Sequence, residues 1–185
     1  LPLNGTLYYN PNGRIPINRF TSEPGWDKYQ TTTQAITSLF EHSFSNNFKI
    51  FSRFRYSHDD GIYQTMYPDN YSNPFNPYVN ASQQSVYRYT YGLNTSRNML
   101  IADTGGQWDF ATGAVTHKVL FGVDIRNLTE QSSSGYGYDI NPFNLYNPVY
   151  GQATAYPVLL HDPGIRQQVT GLYIQDQMRF GQFLV

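Results

Sequence analysis

Cysteine is missing from the sequence altogether, which removes disulfide staples, thiolate metal sites and cysteine nucleophiles, and suits a bacterial envelope protein at least as well as a cytosolic one. Long apolar runs are missing too. The longest span only a few residues, such as Met99-Leu100-Ile101-Ala102 or Val119-Leu120-Phe121, far short of the roughly 20 residues a membrane-spanning helix needs, so any membrane role must use strands. Charge is sparse: Asp, Glu, Lys and Arg make up 14% of the chain, against about 25% in ordinary globular proteins. With 12 basic and 13 acidic side chains there is no positive field to gather phosphates, which excludes nucleic acid as a natural partner. Enzyme signatures are absent as well. The sequence holds no nucleophile elbow, no zinc-protease helix motif, no phosphate-binding loop and no dinucleotide fingerprint.

Aromatic residues fill much of the space that charge leaves, at 17% of the chain, with 17 Tyr alone. Leu, Ile, Val and Phe together still number 44 of 185, above the roughly 20% floor below which a chain stays disordered. Frequent Gly and Pro, together with Tyr, Phe, Thr and Val, predict an all-β chain.

Alternation with a period of two supports that assignment. Strands are predicted over Thr33–Phe44, Phe48–Ser57, Arg97–Phe110, Val115–Arg126 and about Arg166–Phe180, with a sixth starting at Phe183. The fourth is the clearest, with Val115, His117, Val119, Phe121, Val123 and Ile125 on one face and Thr116, Lys118, Leu120, Gly122, Asp124 and Arg126 on the other. In the first four windows every charged side chain falls on the less apolar parity. Two places break the pattern. Tyr87, Tyr89, Tyr91 and Leu93 sit on odd positions although the apolar side of the third strand is even, so a bulge is expected near Thr95–Asn98. Asp176 shares parity with Leu172, Ile174 and Met178, which calls for another bulge or a place near a rim.

A soluble β-sandwich also alternates, but the connections differ in length. The turns at 45–47 and 111–114 are short, while those of roughly 58–84 and 132–165 are long. That asymmetry, with aromatic residues at strand ends (Phe44, Phe48, Trp108, Phe110), is the pattern of an antiparallel transmembrane β-barrel with tight turns at one rim, long loops at the other and interfacial aromatic girdles. The expected extracellular loops cover about 1–27, 58–84 and 132–165.

Those loops carry most of the chemistry available. Tyr63, Tyr67, Tyr71, Phe75 and Tyr78 fall in one, and Tyr136, Tyr138, Phe143, Tyr146, Tyr150 and Tyr156 in another. Tyr offers a rigid apolar face and a hydroxyl at low entropic cost, suited to a bulky, partly polar ligand; packing the loops together is the rival role. Asp59, Asp60, Asp69, Asp139 and Asp162 in the same stretches favour neutral or cationic cargo over an anion. His58-Asp59-Asp60 is the one His and carboxylate cluster, a weak metal candidate and a natural solvated strand end.

Several ordered stretches carry a more specific signal: Leu1-Pro2 with Gly5-Thr6 and Pro11-Asn12-Gly13; Glu41-His42 with Phe44; Arg53-Phe54-Arg55-Tyr56; Phe110-Ala111-Thr112-Gly113 with His117 and Gly122-Val123-Asp124; Asn144-Leu145-Tyr146-Asn147-Pro148-Val149; and Thr170-Gly171-Leu172-Tyr173-Ile174-Gln175-Asp176-Gln177. In these the chain resembles the barrel of TonB-dependent siderophore receptors, especially the ferric hydroxamate (ferrichrome) group. The resemblance implies about six strands of a barrel of roughly 22, with the plug and its TonB-contacting segment outside this stretch of sequence. It implies outer-membrane lipid, a ferric siderophore and the TonB complex as partners. It implies no cofactor and no protein metal ligand, since iron arrives wrapped in its chelator. It also points to Tyr63, Tyr67, Tyr136 and Tyr138 as ligand-binding residues. The rival reading is a soluble carbohydrate-binding β-sheet module stacking sugars on exposed Tyr and Trp; a barrel enzyme lacks an assembled nucleophile, base and orienter.

Overall fold

The computed structural model describes residues Leu1 to Val185 and contains strands but no helix. β1 (Lys28–Ser45), β2 (Phe48–Pro68), β3 (Ser85–Thr112), β4 (Val115–Asn144), β5 (Leu160–His161), β6 (Ile165–Phe180) and β7 (Phe183–Leu184) follow in chain order. They form one sheet in the order β1-β2-β3-β4-β6-β7, with the short β5 paired to β4. Apart from the short β5, neighbours in sequence are neighbours in the sheet, as hairpin connections require. Two of the turns between strands are set by glycine: Gly113 and Gly181, each first in a two-residue turn, have φ of 63° and 56°, which a side chain would resist.

The residues divide into two compact units. The first comprises Leu1–Thr31, Asp60–Thr95 and Ser132–Pro163; the second comprises Thr32–Asp59, Ser96–Gln131 and Gly164–Val185.

The second unit is ladder and little else. β4 and β6 pair without interruption from Val115 opposite Phe180 to Glu130 opposite Ile165. Opposed residues in an antiparallel pair share a face, so Phe121, Val123 and Ile125 lie with Ile174, Leu172 and Thr170, and Lys118, Asp124 and Arg126 lie on the other side. The apolar side is uncovered: Leu172 is 85% exposed, Ile174 78% and Phe121 40%. A soluble sandwich would bury these side chains, so the carbohydrate-module reading fails here. The charged side is cross-linked by Arg53 to Asp103 at 3.3 Å, Lys49 to Glu41 at 3.5 Å and Arg97 to Glu130 at 2.5 Å, and the Tyr173 hydroxyl donates to Asp103 at 2.8 Å.

Neither expected bulge is needed. The β4–β6 register passes Asp176 unbroken; its carboxylate instead lies 2.7 Å from His117 Nδ1, close to the Gly113-Ala114 turn. His117 Nε2 lies 2.6 Å from the Thr112 hydroxyl, and its ring stacks on Phe110 at 4.7 Å. Asp176 is thus a rim residue held by an imidazole. On β3, odd positions meet even positions of β4 in each unit separately, through Arg97 and Glu130 in one and Tyr91 and Tyr136 in the other. Tyr87, Tyr89 and Tyr91 therefore share parity with the charged side of β3, not with its apolar side, and no slip near 95–98 is required. Aromatic pairs gather at the hairpin ends as expected, Phe44 with Phe48 at 5.8 Å and Trp108 with Phe110 at 4.8 Å.

The first unit has a core. Ile15, Tyr78, Val86, Phe143 and Leu145 are buried together, with Tyr146 and Tyr150 packed against them. Beside it lies a buried ionic triad. Arg88 Nη2 reaches Glu23 at 2.8 Å and Asp139 at 3.1 Å, and its guanidinium sits 4.3 Å from the Phe143 ring centre. The carboxylates are further satisfied: Glu23 accepts from the Gly151 N–H at 2.5 Å, and Asp139 from the Thr154 hydroxyl at 3.1 Å. Charges taken out of water persist only when paired and hydrogen-bonded in this way.

Candidate functional site

Strands run further than period alone indicates. β2 continues to Pro68 and β4 to Asn144, so Tyr63, Tyr67, Tyr136 and Tyr138 stand on strands rather than in irregular loops. Their rings are held by cross-strand neighbours, which is how aromatic residues stabilise a sheet. Placement on strands also fixes direction. Tyr63 and Tyr67 are four residues apart on β2, and Tyr136 and Tyr138 two apart on β4, so each pair projects to one face.

β3 supplies the link between them. Tyr91 lies 5.8 Å from Tyr63 and 4.7 Å from Tyr136, and Tyr89 lies 5.9 Å from Tyr67 and 4.9 Å from Tyr138. Tyr29 extends the first row, 5.7 Å from Tyr63, and Tyr71 and Tyr87 flank the second, at 6.3 Å from Tyr67 and 6.0 Å from Tyr138. The result is a tyrosine wall of two rows, open at Tyr136, which is 70% exposed, and at Tyr71, which is 72% exposed.

Under the second row lies Asp69, itself buried. It accepts from the Tyr138 hydroxyl at 2.6 Å and from the N–H groups of Tyr71 and Ser72, each at 3.0 Å. Burial alone would raise this carboxyl, but hydrogen bonds from Ser72, Tyr138 and the two backbone N–H groups outweigh it and hold the group below the ordinary carboxylate range. Burial and the neighbouring carboxylate push the Tyr138 hydroxyl up to about 12. Burial likewise raises Tyr67, with Tyr136, Tyr71, Tyr89 and Tyr63 adding to it.

The four tyrosines singled out from sequence are thus brought into one wall. Tyr87, Tyr89 and Tyr91, which join them, carried a signal in their odd-position repeat, and it was assigned to a bulge. Other aromatic residues of the same stretches serve packing. Tyr78 and Phe143 are core, the Tyr78 hydroxyl donates to the Asn4 carbonyl, the Tyr150 hydroxyl donates to the Phe20 carbonyl at 3.0 Å, and Tyr156 packs against Trp26 at 4.9 Å. The acidic residues are not a free field either. Asp139 belongs to the Arg88 triad, and Asp162 accepts from Ser132 and Ser134 at 3.0 and 2.9 Å. No three His or carboxylate side chains gather in metal-ligating geometry; of the His58 cluster, His58 Nδ1 lies 2.9 Å from Asn98 Oδ1, and Asp59 accepts from Thr33 at 2.6 Å.

A wall of rigid rings with hydroxyls at their tips binds by contact area and a few hydrogen bonds. The chain is 26% identical over 183 residues to the ferrioxamine B receptor of Salmonella typhimurium, covering 99% of this chain and 25% of that protein. To the ferrichrome outer membrane transporter/phage receptor of Escherichia coli K12 it is 26% identical over 205 residues, covering 100% of this chain and 27% of that protein. To the catecholate siderophore receptor Fiu of Escherichia coli UTI89 it is 28% identical over 153 residues, covering 80% of this chain and 19% of that protein. The chain therefore spans about a quarter of the length of the first two of these curated relatives. The model of the family described as TonB dependent receptor-like, beta-barrel matches residues 1–185, and with its uncovered alternating sheet and antiparallel strand order the chain belongs to that family.

Proposed function

We propose that this chain is the ligand-capturing stretch of an outer-membrane receptor that takes up a ferric siderophore, of hydroxamate type. The tyrosine wall of Tyr63, Tyr67, Tyr136 and Tyr138, joined through Tyr89 and Tyr91, is the observation that carries this reading. Rings already ordered by one another lose little freedom when a bulky chelate settles on them. The iron travels inside its chelator as cargo, so the receptor supplies contact surface and hydrogen bonds rather than metal ligands. The names of the ferrioxamine and ferrichrome relatives support the hydroxamate class. The uncovered apolar side of β4 and β6, a surface suited to lipid, supports outer-membrane residence. Stretches 1–27, 58–84 and 132–165 face the outside in this reading, and inward transfer is driven by the TonB complex through a plug contributed by the rest of the receptor.

Uptake of radiolabelled ferric hydroxamate by cells carrying the full-length receptor tests the reading. Tyr136→Ala is expected to lower uptake at least fivefold, since stripping one stacked aromatic from a ligand site removes about 1–3 kcal/mol of contact, while receptor abundance in the outer membrane is unchanged. Undiminished uptake removes Tyr136 from the site. Equal uptake of a ferric catecholate would contradict the hydroxamate assignment.

A further inference from the structure

Asp69 is the one buried carboxylate of the first unit that borders the tyrosine wall and is held by hydrogen bonds alone. The other two buried carboxylates there, Glu23 and Asp139, share the Arg88 guanidinium. An ionised carboxylate stripped of water and lacking a cation projects its field through the low-dielectric rings above it. Those rings are Tyr67, Tyr71, Tyr89 and Tyr138, with centroids 4.9–6.3 Å apart, and aromatic faces attract cations in their own right.

Tyr138 adds a directional element. Its proton is committed to Asp69, 2.6 Å away, so toward a ligand the phenolic oxygen can only accept. A charge-assisted bond of that kind strengthens the oxygen as an acceptor. We infer that the Asp69–Tyr138 pair, with the rings of Tyr67, Tyr71 and Tyr89, forms a subsite for a protonated amine on the siderophore, making Asp69 a specificity-determining residue that acts through Tyr138. The inference rests on the siderophore reading and deepens it: the preferred cargo is a ferric hydroxamate bearing a free primary ammonium. The depressed titration of Asp69 is in keeping with a carboxylate that stays charged when water is excluded.

The test uses the full-length receptor and two ligands, a linear ferric trihydroxamate with a free primary amine and the same molecule N-acetylated, with binding followed by quenching of protein fluorescence. Wild type is expected to prefer the amine form about tenfold, and the preference to shrink as salt is raised. Asp69→Asn keeps an acceptor for the Tyr71 and Ser72 N–H groups but removes the charge, and its amide can donate to Tyr138. It is expected to erase the preference by weakening the amine form alone. Tyr138→Phe, which keeps the ring but removes the phenolic acceptor, is expected to weaken the amine form more than the N-acetylated form. Equal affinity of wild type for the two ligands, or equal losses for both in the two variants, overturns the subsite. Failure of wild type to bind either ligand overturns the siderophore reading itself, a separate outcome.

Discussion

The two units of this chain solve the burial problem in opposite ways. In the first, Ile15, Tyr78, Val86, Phe143 and Leu145 close around one another, and the triad of Glu23, Arg88 and Asp139 fastens three remote segments. In the second, Leu172 and Ile174 stand 85% and 78% exposed on a sheet whose other side is cross-linked by charges from β2 through β3 to β4. The first is stabilised by its own interior; the second depends on what bathes its apolar side. A chain with little charge and no long apolar run can therefore hold both a self-packed unit with its own interior and a sheet whose apolar side is uncovered, the difference lying in the period of its residues rather than their overall content.

The sharpest way to break this contrast is at Arg88. Arg88→Met leaves two carboxylates buried with no cation between them, and breaking a buried ionic cluster from one side costs about 3–5 kcal/mol. The expected result in the full-length receptor is much faster hydrogen exchange at the Gly151 and Thr154 amides, with exchange along β4 and β6 from Val115 to Arg126 unchanged. Coupled loss in both places would show that the two units do not stabilise themselves separately.

Next in size is an arginine placed on either side of β6. Ile174→Arg, on the apolar side, is expected to destabilise the barrel by about 2–4 kcal/mol, as a charge facing the bilayer midplane does. Gln175→Arg, on the opposite side, is expected to cost under about 1 kcal/mol. Chemical unfolding in phospholipid vesicles measures both, and similar costs would contradict the assignment of sides.

The smallest effect is in pH. Asp69 titrates below its ordinary 3.8 in the folded protein, so its contribution is full above that value and is lost as the pH falls through the lower folded value. Tyr138 is raised from 10.0 to about 12, so its contribution is full below pH 10 and is lost as the pH rises through about 12. The thermal midpoint of wild type minus that of Asp69→Asn is expected to decline toward both extremes; a flat difference would mean that the Asp69–Tyr138 bond contributes nothing to the first unit.

Much of the second unit was legible in sequence, because a two-residue period survives wherever the register is unbroken, as it is from Val115 to Glu130. For Asp176 the sequence left a bulge or a rim position open, and the rim holds; what its local pattern could not show is the partner His117, 59 residues away. The first unit was harder. Tyr63, Tyr67, Tyr136 and Tyr138 were visible as aromatic residues, but they sit among Pro, Asn and Gly, whose turn signals hid the strands beneath them, and Tyr29, which extends the wall, carried no signal. Arg88 gave no signal: it alternates with Tyr87 and Tyr89 like an exposed side chain, and its carboxylates lie 65 and 51 residues away.

Lipid contact along β4 is the claim on which the rest depends, and nitroxide scanning reads it directly. Since this stretch contributes no native cysteine, single cysteines at positions 118 to 125, spin-labelled in the full-length receptor in bilayers, report collision with oxygen, which concentrates in hydrocarbon, and with a water-soluble nickel chelate. Labels at 119, 121, 123 and 125 are expected to favour oxygen, and those at 118, 120, 122 and 124 the nickel chelate. Odd-numbered labels shielded from both reagents, or reached by nickel as readily as their neighbours, would contradict the account.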